Sequence, residues 1–243
     1  MSNIYCKKTM DAYIFEKSEI VSVIKRAFKN VYKGTGRKPD INDIPYDDKA
    51  VFNFINSGEM DNLLLRYDLI GKGFRDFDIS SMEDMIAALS LYRPGLEERQ
   101  KEYFSNRQKP VQYGDSKLDS ILEPTYGCIL YREQIIQILK ELGGFTPELS
   151  KDGLREMAKY HQTVFADLRK TFIFGDNKNN IPGCVERGLS EIEAGRIFDN
   201  MSEAARYTFN KSHAASYAIM IYRLAWLKYY YGDELDEALN FDN

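Results

Sequence analysis

Apolar residues recur at three- and four-residue steps along most of the chain, the spacing that places them on one face of an α-helix. Ile20, Val23, Ile24, Ala27, Phe28 and Val31 follow it, predicting an amphipathic helix over residues 17–33 that stops at Lys33-Gly34-Thr35-Gly36. Val51, Phe52 and Ile55 share a face in a short helix predicted over Asp47–Ser57. Residues 61–79 alternate poorly and contain Gly71 and Gly73, so they remain ambiguous. Ser80 stands three before Glu83, the spacing of a capping box, and opens a helix with Met82, Met85, Ile86 and Leu89 on one face, ended at Arg93-Pro94-Gly95. Tyr131, Ile135, Ile138, Leu139 and Leu142 define another, stopped by Gly143-Gly144. Thr146-Pro147 supplies a cap and a preset first φ for a helix over 147–160. Ser190 and Glu193 repeat the capping-box spacing, with Ile197, Phe198 and Met201 turned inward. The fold class is therefore mostly α, with at most short strands near Asn3–Phe15 and around residues 110–130.

One stretch departs from this plain alternation. Residues 207–231 read YTFNKSHAASYAIMIYRLAWLKYYY. Its second part is a core helix in which Ala214, Ala215 and Ala218 allow close approach and Ile221, Leu224 and Trp226 fill space. In its first part Ser212 is read as the cap of a helix beginning near His213. Asn210, Lys211 and His213 would then gather at the positive end of the helix dipole, where phosphate can be held. The plainer alternative is that Ser212 only caps while Lys211 and His213 are solvated.

Composition narrows the class of function. A formal net charge of −4 over 243 residues excludes a wholly basic nucleic-acid platform, so any such contact is a local patch. Three cysteines, Cys6, Cys128 and Cys184, make no disulfide framework, and two histidines without a Cys-x-x-Cys make a transition-metal site a poor reading. The N-terminal residues lack a signal-peptide core, and the longest apolar run, Ala214 to Leu227, is shorter than a membrane span and contains Arg223. The expectation is a soluble cytoplasmic chain that does not engage a membrane.

The segment NKSHAASYA, preceded by Tyr207 and Phe209, resembles the fingers motif of the bacterial replicative DNA polymerase III alpha subunit, a C-family DNA polymerase. So do Leu91-Tyr92-Arg93-Pro94-Gly95 after Glu83–Leu89, and Ile121-Leu122-Glu123-Pro124-Thr125-Tyr126-Gly127 continued by Tyr131, Glu133 and Gln134. Ile44-Pro45-Tyr46-Asp47-Asp48 is similar to a further short signature of the family. The order and spacing agree from about Met10 to Leu239.

The resemblance implies a fingers-like helical domain over residues 80–243, a helical connecting subdomain over 17–79 and a palm-derived remnant over 1–16 with a short strand. It implies a segment of a DNA-directed DNA polymerase, a nucleotidyltransferase of DNA replication, that helps bind incoming deoxynucleotide and template–primer. Other replisome subunits are among the partners it implies for the intact enzyme, and Mg²⁺ is the cofactor. Family members use three palm carboxylates to hold two magnesium ions; Asp11, in Lys8-Thr9-Met10-Asp11, matches only the third. With that incomplete metal site the chain is expected neither to hold metal nor to polymerise alone. The arginine-rich triphosphate grip of the family is matched by Leu154-Arg155-Glu156-Met157-Ala158-Lys159, in which one arginine is missing and Glu156 opposes phosphate. A polar family motif is replaced at Leu63-Leu64-Leu65-Arg66-Tyr67. By the same resemblance His213 matches the sugar-discriminating position and Lys211 a nucleotide-site lysine. The nucleotide-binding expectation is therefore Arg155, Lys159, Asn210, Lys211, Ser212 and His213, facing one cleft. The alternative is a stand-alone structural or interaction protein that kept the fingers fold and lost nucleotide binding.

Overall fold

A computed structural model describes residues 19–36, 40–66, 77–159 and 162–240. Among them the helices α1 (Glu19–Thr35), α2 (Lys49–Ser57), α3 (Asp61–Arg66), α4 (Met82–Leu91), α5 (Glu97–Gln108), α6 (Ser116–Leu122) and α7 (Arg132–Glu141) come first. Then follow α8 (Pro147–Lys159), α9 (Gln162–Phe174), α10 (Gly183–Glu186), α11 (Glu191–Ala204), α12 (Lys211–Tyr230) and α13 (Gly232–Leu239). Extended pairing among the described residues is confined to two isolated bridges, Tyr131 with Phe209 in parallel and Asp176 with Ile181 antiparallel. The mostly α expectation holds. The strand expected near Asn3–Phe15, and Asp11 with it, lies outside the described residues. No described helix is long and apolar enough to cross a membrane.

The chain divides into two compact units, Met1–Tyr92 with Ser212–Asn243, and Arg93–Lys211. In the first, α12 is buried along most of its length from Ala214 to Leu227. Tyr222 is its anchor. The ring lies 5.2 Å from that of Phe52 on α2 and 5.3 Å from that of Tyr46, and the hydroxyl donates to the Pro45 carbonyl at 2.7 Å. The Ile44–Asp48 signature thus has a structural use. Asp48 caps α2 by accepting from the Ala50 N–H at 2.9 Å, and its other oxygen accepts the Tyr230 hydroxyl at 2.7 Å. On the far side α1 packs along α13, with Arg26 donating to the Ala238 carbonyl and Asn30 to the Glu234 carbonyl.

The second unit is built on α7, α8, α9 and α11. Ile138 and Leu139 of α7, Leu154 and Met157 of α8, Phe172 of α9 and Phe198 of α11 share one core. Gly153 lets α8 approach α7, since a Cβ there would lie 3.1 Å from the Leu139 Cδ1.

Two caps differ from the sequence reading. Ser81, not Ser80, caps α4 and accepts from the Asp84 N–H at 3.1 Å, while the buried Asp84 carboxylate reaches back to the Ser80 N–H and hydroxyl. Ser212 is not a cap either, because α12 begins one residue before it at Lys211. The box at Ser190 and Glu193 forms as expected, with both reciprocal bonds.

Candidate functional site

Residues from three of the motifs read from the sequence meet in the second unit. Thr208, Phe209 and Asn210 run beside Leu130, Tyr131 and Arg132 just before α7. The Phe209 N–H donates to the Leu130 carbonyl at 3.0 Å, and the Arg132 N–H donates to the Phe209 carbonyl at 3.0 Å. This short parallel pairing fixes where α12 starts. The Lys211 N–H donates to the Glu133 carboxylate at 3.2 Å, so an internal carboxylate takes one of the N–H groups left open at the helix start. The Lys211 ammonium lies 5.1 Å from the centre of the Tyr131 ring.

Arg93, from the Leu91–Gly95 motif, completes the junction. Its guanidinium sits 4.9 Å over the Phe209 ring and donates to the Tyr207 carbonyl. Burial and then the neighbouring Arg132 charge hold its pKa below the ordinary arginine value. Arg99 covers the other neighbour, 4.8 Å over the Tyr207 ring, and pairs with Glu102 and Glu203. Desolvation pushes the Tyr207 hydroxyl up to about 12.

The Ile121–Gly127 motif supports this junction from below. Glu123–Thr125 form one 3₁₀ turn and Gly127 follows at φ +88, where a Cβ would come within 2.8 Å of the Val111 side chain. That turn presents the Thr125 hydroxyl to the buried Gln134 side chain, which in turn holds the Leu130 and Tyr131 N–H groups. Burial pushes the Cys128 thiol up to about 12, so it is no nucleophile at neutral pH.

The residues expected to bind nucleotide fall into two groups. Arg155 and Lys159, four apart on α8, share the exposed face opposite Leu154 and Met157. Each pairs with an acid of its own helix, Arg155 with Asp152 at 2.8 Å and Lys159 with Glu156 at 3.7 Å. Asn210 precedes α12, and Lys211, Ser212 and His213 form its first turn. Ser212 and His213 are exposed, and the His213 ring stacks obliquely on Tyr217 at 4.9 Å. Asp11 lies outside the described residues. A groove of about 580 Å³ lined by Tyr113, Asp115, Leu118, Glu193, Arg196 and Asn200 contains none of these residues. Sequence reading did not single out Arg132 or Arg93 as site cations. Arg93 was visible inside its motif, whereas the closeness of Arg132 follows from a pairing that only the folded chain reveals.

Comparison with known proteins places these features. The bacterial DNA polymerase III alpha subunit finger domain matches residues 20–180. The DNA polymerase III subunit alpha of Staphylococcus epidermidis is 34% identical over 214 residues, which is 87% of this chain and 19% of that protein. The DNA polymerase III subunit alpha of Staphylococcus aureus is 33% identical over the same 214 residues and coverage. The chain thus spans 19% of the length of these curated relatives.

Proposed function

Because the chain belongs to the bacterial DNA polymerase III alpha subunit finger-domain family, we propose that it contributes to binding incoming deoxynucleotide and the template–primer end during DNA replication. The observation that supports this reading is the junction of Arg93, Tyr131, Glu133, Phe209 and Lys211. Three family-like motifs, far apart in sequence, converge there at the start of the helix that carries Lys211 and His213. In this reading Arg155, Lys159, Asn210, Lys211, Ser212 and His213 meet the nucleotide, DNA and other replisome subunits are the partners of the intact enzyme, and the setting is the cytoplasm.

In this reading polymerisation itself is not assigned to these residues alone. Magnesium supplies activation of the primer 3′-oxygen and stabilisation of leaving pyrophosphate when bound in the intact enzyme. Asp11 is the one residue here matched to that site, and a single carboxylate cannot build a two-metal centre. Primer extension with magnesium and all four deoxynucleotides is therefore expected to yield no product. Template-directed extension that survives repurification and disappears in Asp11→Asn would overturn the fragment reading.

Nucleotide contact is tested separately. An NMR titration of the chain with dATP is expected to shift the amides of residues 155–159 and of 210–214, less at high salt. A dissociation constant in the millimolar range, about 4 kcal/mol of binding, is expected because Glu156 opposes phosphate. A second reading has its own support: Arg155 and Lys159 are already engaged by Asp152 and Glu156. Exposed pairs of this kind are weak, so they lower affinity rather than block it. If neither group of amides moves, the interaction-protein reading replaces the nucleotide-binding one.

A further inference from the structure

We infer that the groove between the Tyr113–Leu118 segment and α11 of the second unit binds a short peptide segment of a protein partner, one that presents a large aliphatic side chain between basic residues. The inference goes beyond the nucleotide reading and uses none of its residues.

The groove lies within one unit and encloses about 580 Å³, a volume that suits a ligand site. Its floor is aliphatic: Leu118 and Ile197 reach it from the core, and Leu189 is half-buried beside them. Its walls are held by hydrogen bonds of their own. The Asp119 carboxylate accepts from the Tyr113 and Gly114 N–H groups, and the Tyr113 hydroxyl donates to the Gly127 carbonyl at 2.9 Å. Farther along, the Gly188 N–H donates to the Val185 carbonyl and the Leu189 N–H to the Cys184 carbonyl. A groove with fixed walls loses little entropy when an occupant arrives.

The polar lining decides what that occupant is. Asp115 Oδ1 accepts from the Lys117 and Leu118 N–H groups, and Glu193 Oε2 accepts from the Ser190 N–H and hydroxyl. Among the described residues the second oxygen of each carboxylate makes no hydrogen bond, and neither do the exposed side chains of Arg196 and Asn200. The groove thus offers acceptors, donors and an amide that is both. A peptide backbone uses that mixture, its carbonyls accepting from Arg196 and Asn200 and its N–H groups donating to Asn200. A phosphodiester chain brings acceptors and negative charge to a lining in which Asp115 and Glu193 stand against Arg196. Repulsion disfavours that occupant, and the same two carboxylates favour a segment carrying lysine or arginine. The aliphatic floor then takes the side chain between them.

The probe is the blocked peptide acetyl-Gly-Lys-Leu-Lys-Gly-amide, with lysine on both sides so that chain direction does not matter. In an NMR titration of the full chain it is expected to shift the amides of residues 113–118 and 188–200, with a dissociation constant in the millimolar range. Replacing its leucine by alanine is expected to weaken binding about tenfold. Replacing both lysines by glutamate is expected to weaken it about fivefold at low salt. In the protein, Asn200→Lys puts bulk and positive charge at an exposed helix position, so far-UV circular dichroism is retained while the shifts are lost. Arg196→Gln is expected to weaken the peptide about fivefold through the lost carbonyl donors, and Lys140→Gln, outside the groove, to bind it as wild type does. A thymidine hexanucleotide is expected to leave the groove amides unshifted. The inference is overturned if leucine and alanine peptides bind alike, if the glutamate peptide binds as well as the lysine one, or if folded Asn200→Lys binds like wild type. It is equally overturned if no peptide shifts these amides, or if the hexanucleotide shifts them in the peptide's place.

Discussion

Ala218→Asp is expected to abolish cooperative folding of the first unit. Ala218 has no exposed surface, and its neighbours on α12 from Ile219 to Ala225 are buried as well. The methyl group is fully buried, so the larger side chain must displace its surroundings and also carry a charge out of water. An isolated buried carboxylate either pays its desolvation or takes up a proton, and in both cases its oxygens lack partners in an apolar contact. Together with overpacking, the loss is about 5 kcal/mol, comparable with the total stability of many domains. Thermal unfolding followed by far-UV circular dichroism is expected to show a broad, early loss of helix for the mutant. A melting temperature equal to wild type would mean that this face of α12 is solvated and that the packing around Tyr222 is wrong.

How much of this was visible in the sequence depends on whether the determining contact was local. The box at Ser190 and Glu193 involves only residues three apart, and it formed as read. The start of α4 offered two hydroxyls and two carboxylates in register, Ser80-Ser81 and Glu83-Asp84, so spacing could not choose between them. Burial chose Asp84, which is 2% exposed and bonds Ser80. The start of α12 was misplaced by one residue for a different reason. Its first N–H goes to Glu133, 78 residues earlier, and no local pattern announces such a partner. Helix α5 gave no periodic signal because only Tyr103 of its twelve residues is buried. The candidate site shows the same division. Arg155 and Lys159 share a face by helical spacing alone, and Lys211 stood inside a recognisable motif. The placement of Arg132 beside Phe209 depends on a pairing between residues 131 and 209, which is a property of the folded chain.

Gln134→Leu is expected to be the most damaging change in the second unit that leaves the helix propensity of its site intact. Gln134 is 5% exposed and uses both ends of its amide. Its oxygen accepts from the Leu130 and Tyr131 N–H groups, each at 2.9 Å, and its nitrogen donates to the Thr125 hydroxyl at 2.7 Å and the Ile121 carbonyl at 3.3 Å. Leucine fills nearly the same volume, so little cavity forms and the loss is that of the hydrogen bonds. Two backbone N–H groups would be left buried without the oxygen that holds them, at about 1–3 kcal/mol each, and a total near 4 kcal/mol is expected. Thr125→Val removes one bond to Gln134 and one to the Cys128 carbonyl while keeping the shape, so about half that cost is expected. The order of the two matters more than either value, because Gln134 ties the Ile121–Gly127 turn directly to the segment that pairs with Phe209. Urea midpoints at constant slope measure the costs, and hydrogen exchange at Leu130 and Tyr131 measures where they fall. In Gln134→Leu those two amides are expected to lose protection before the core of α7 does, loosening Phe209 and the start of α12 with them. A Gln134→Leu protein with wild-type midpoint and fully protected amides at 130 and 131 would show that the turn and the pairing stand independently of each other.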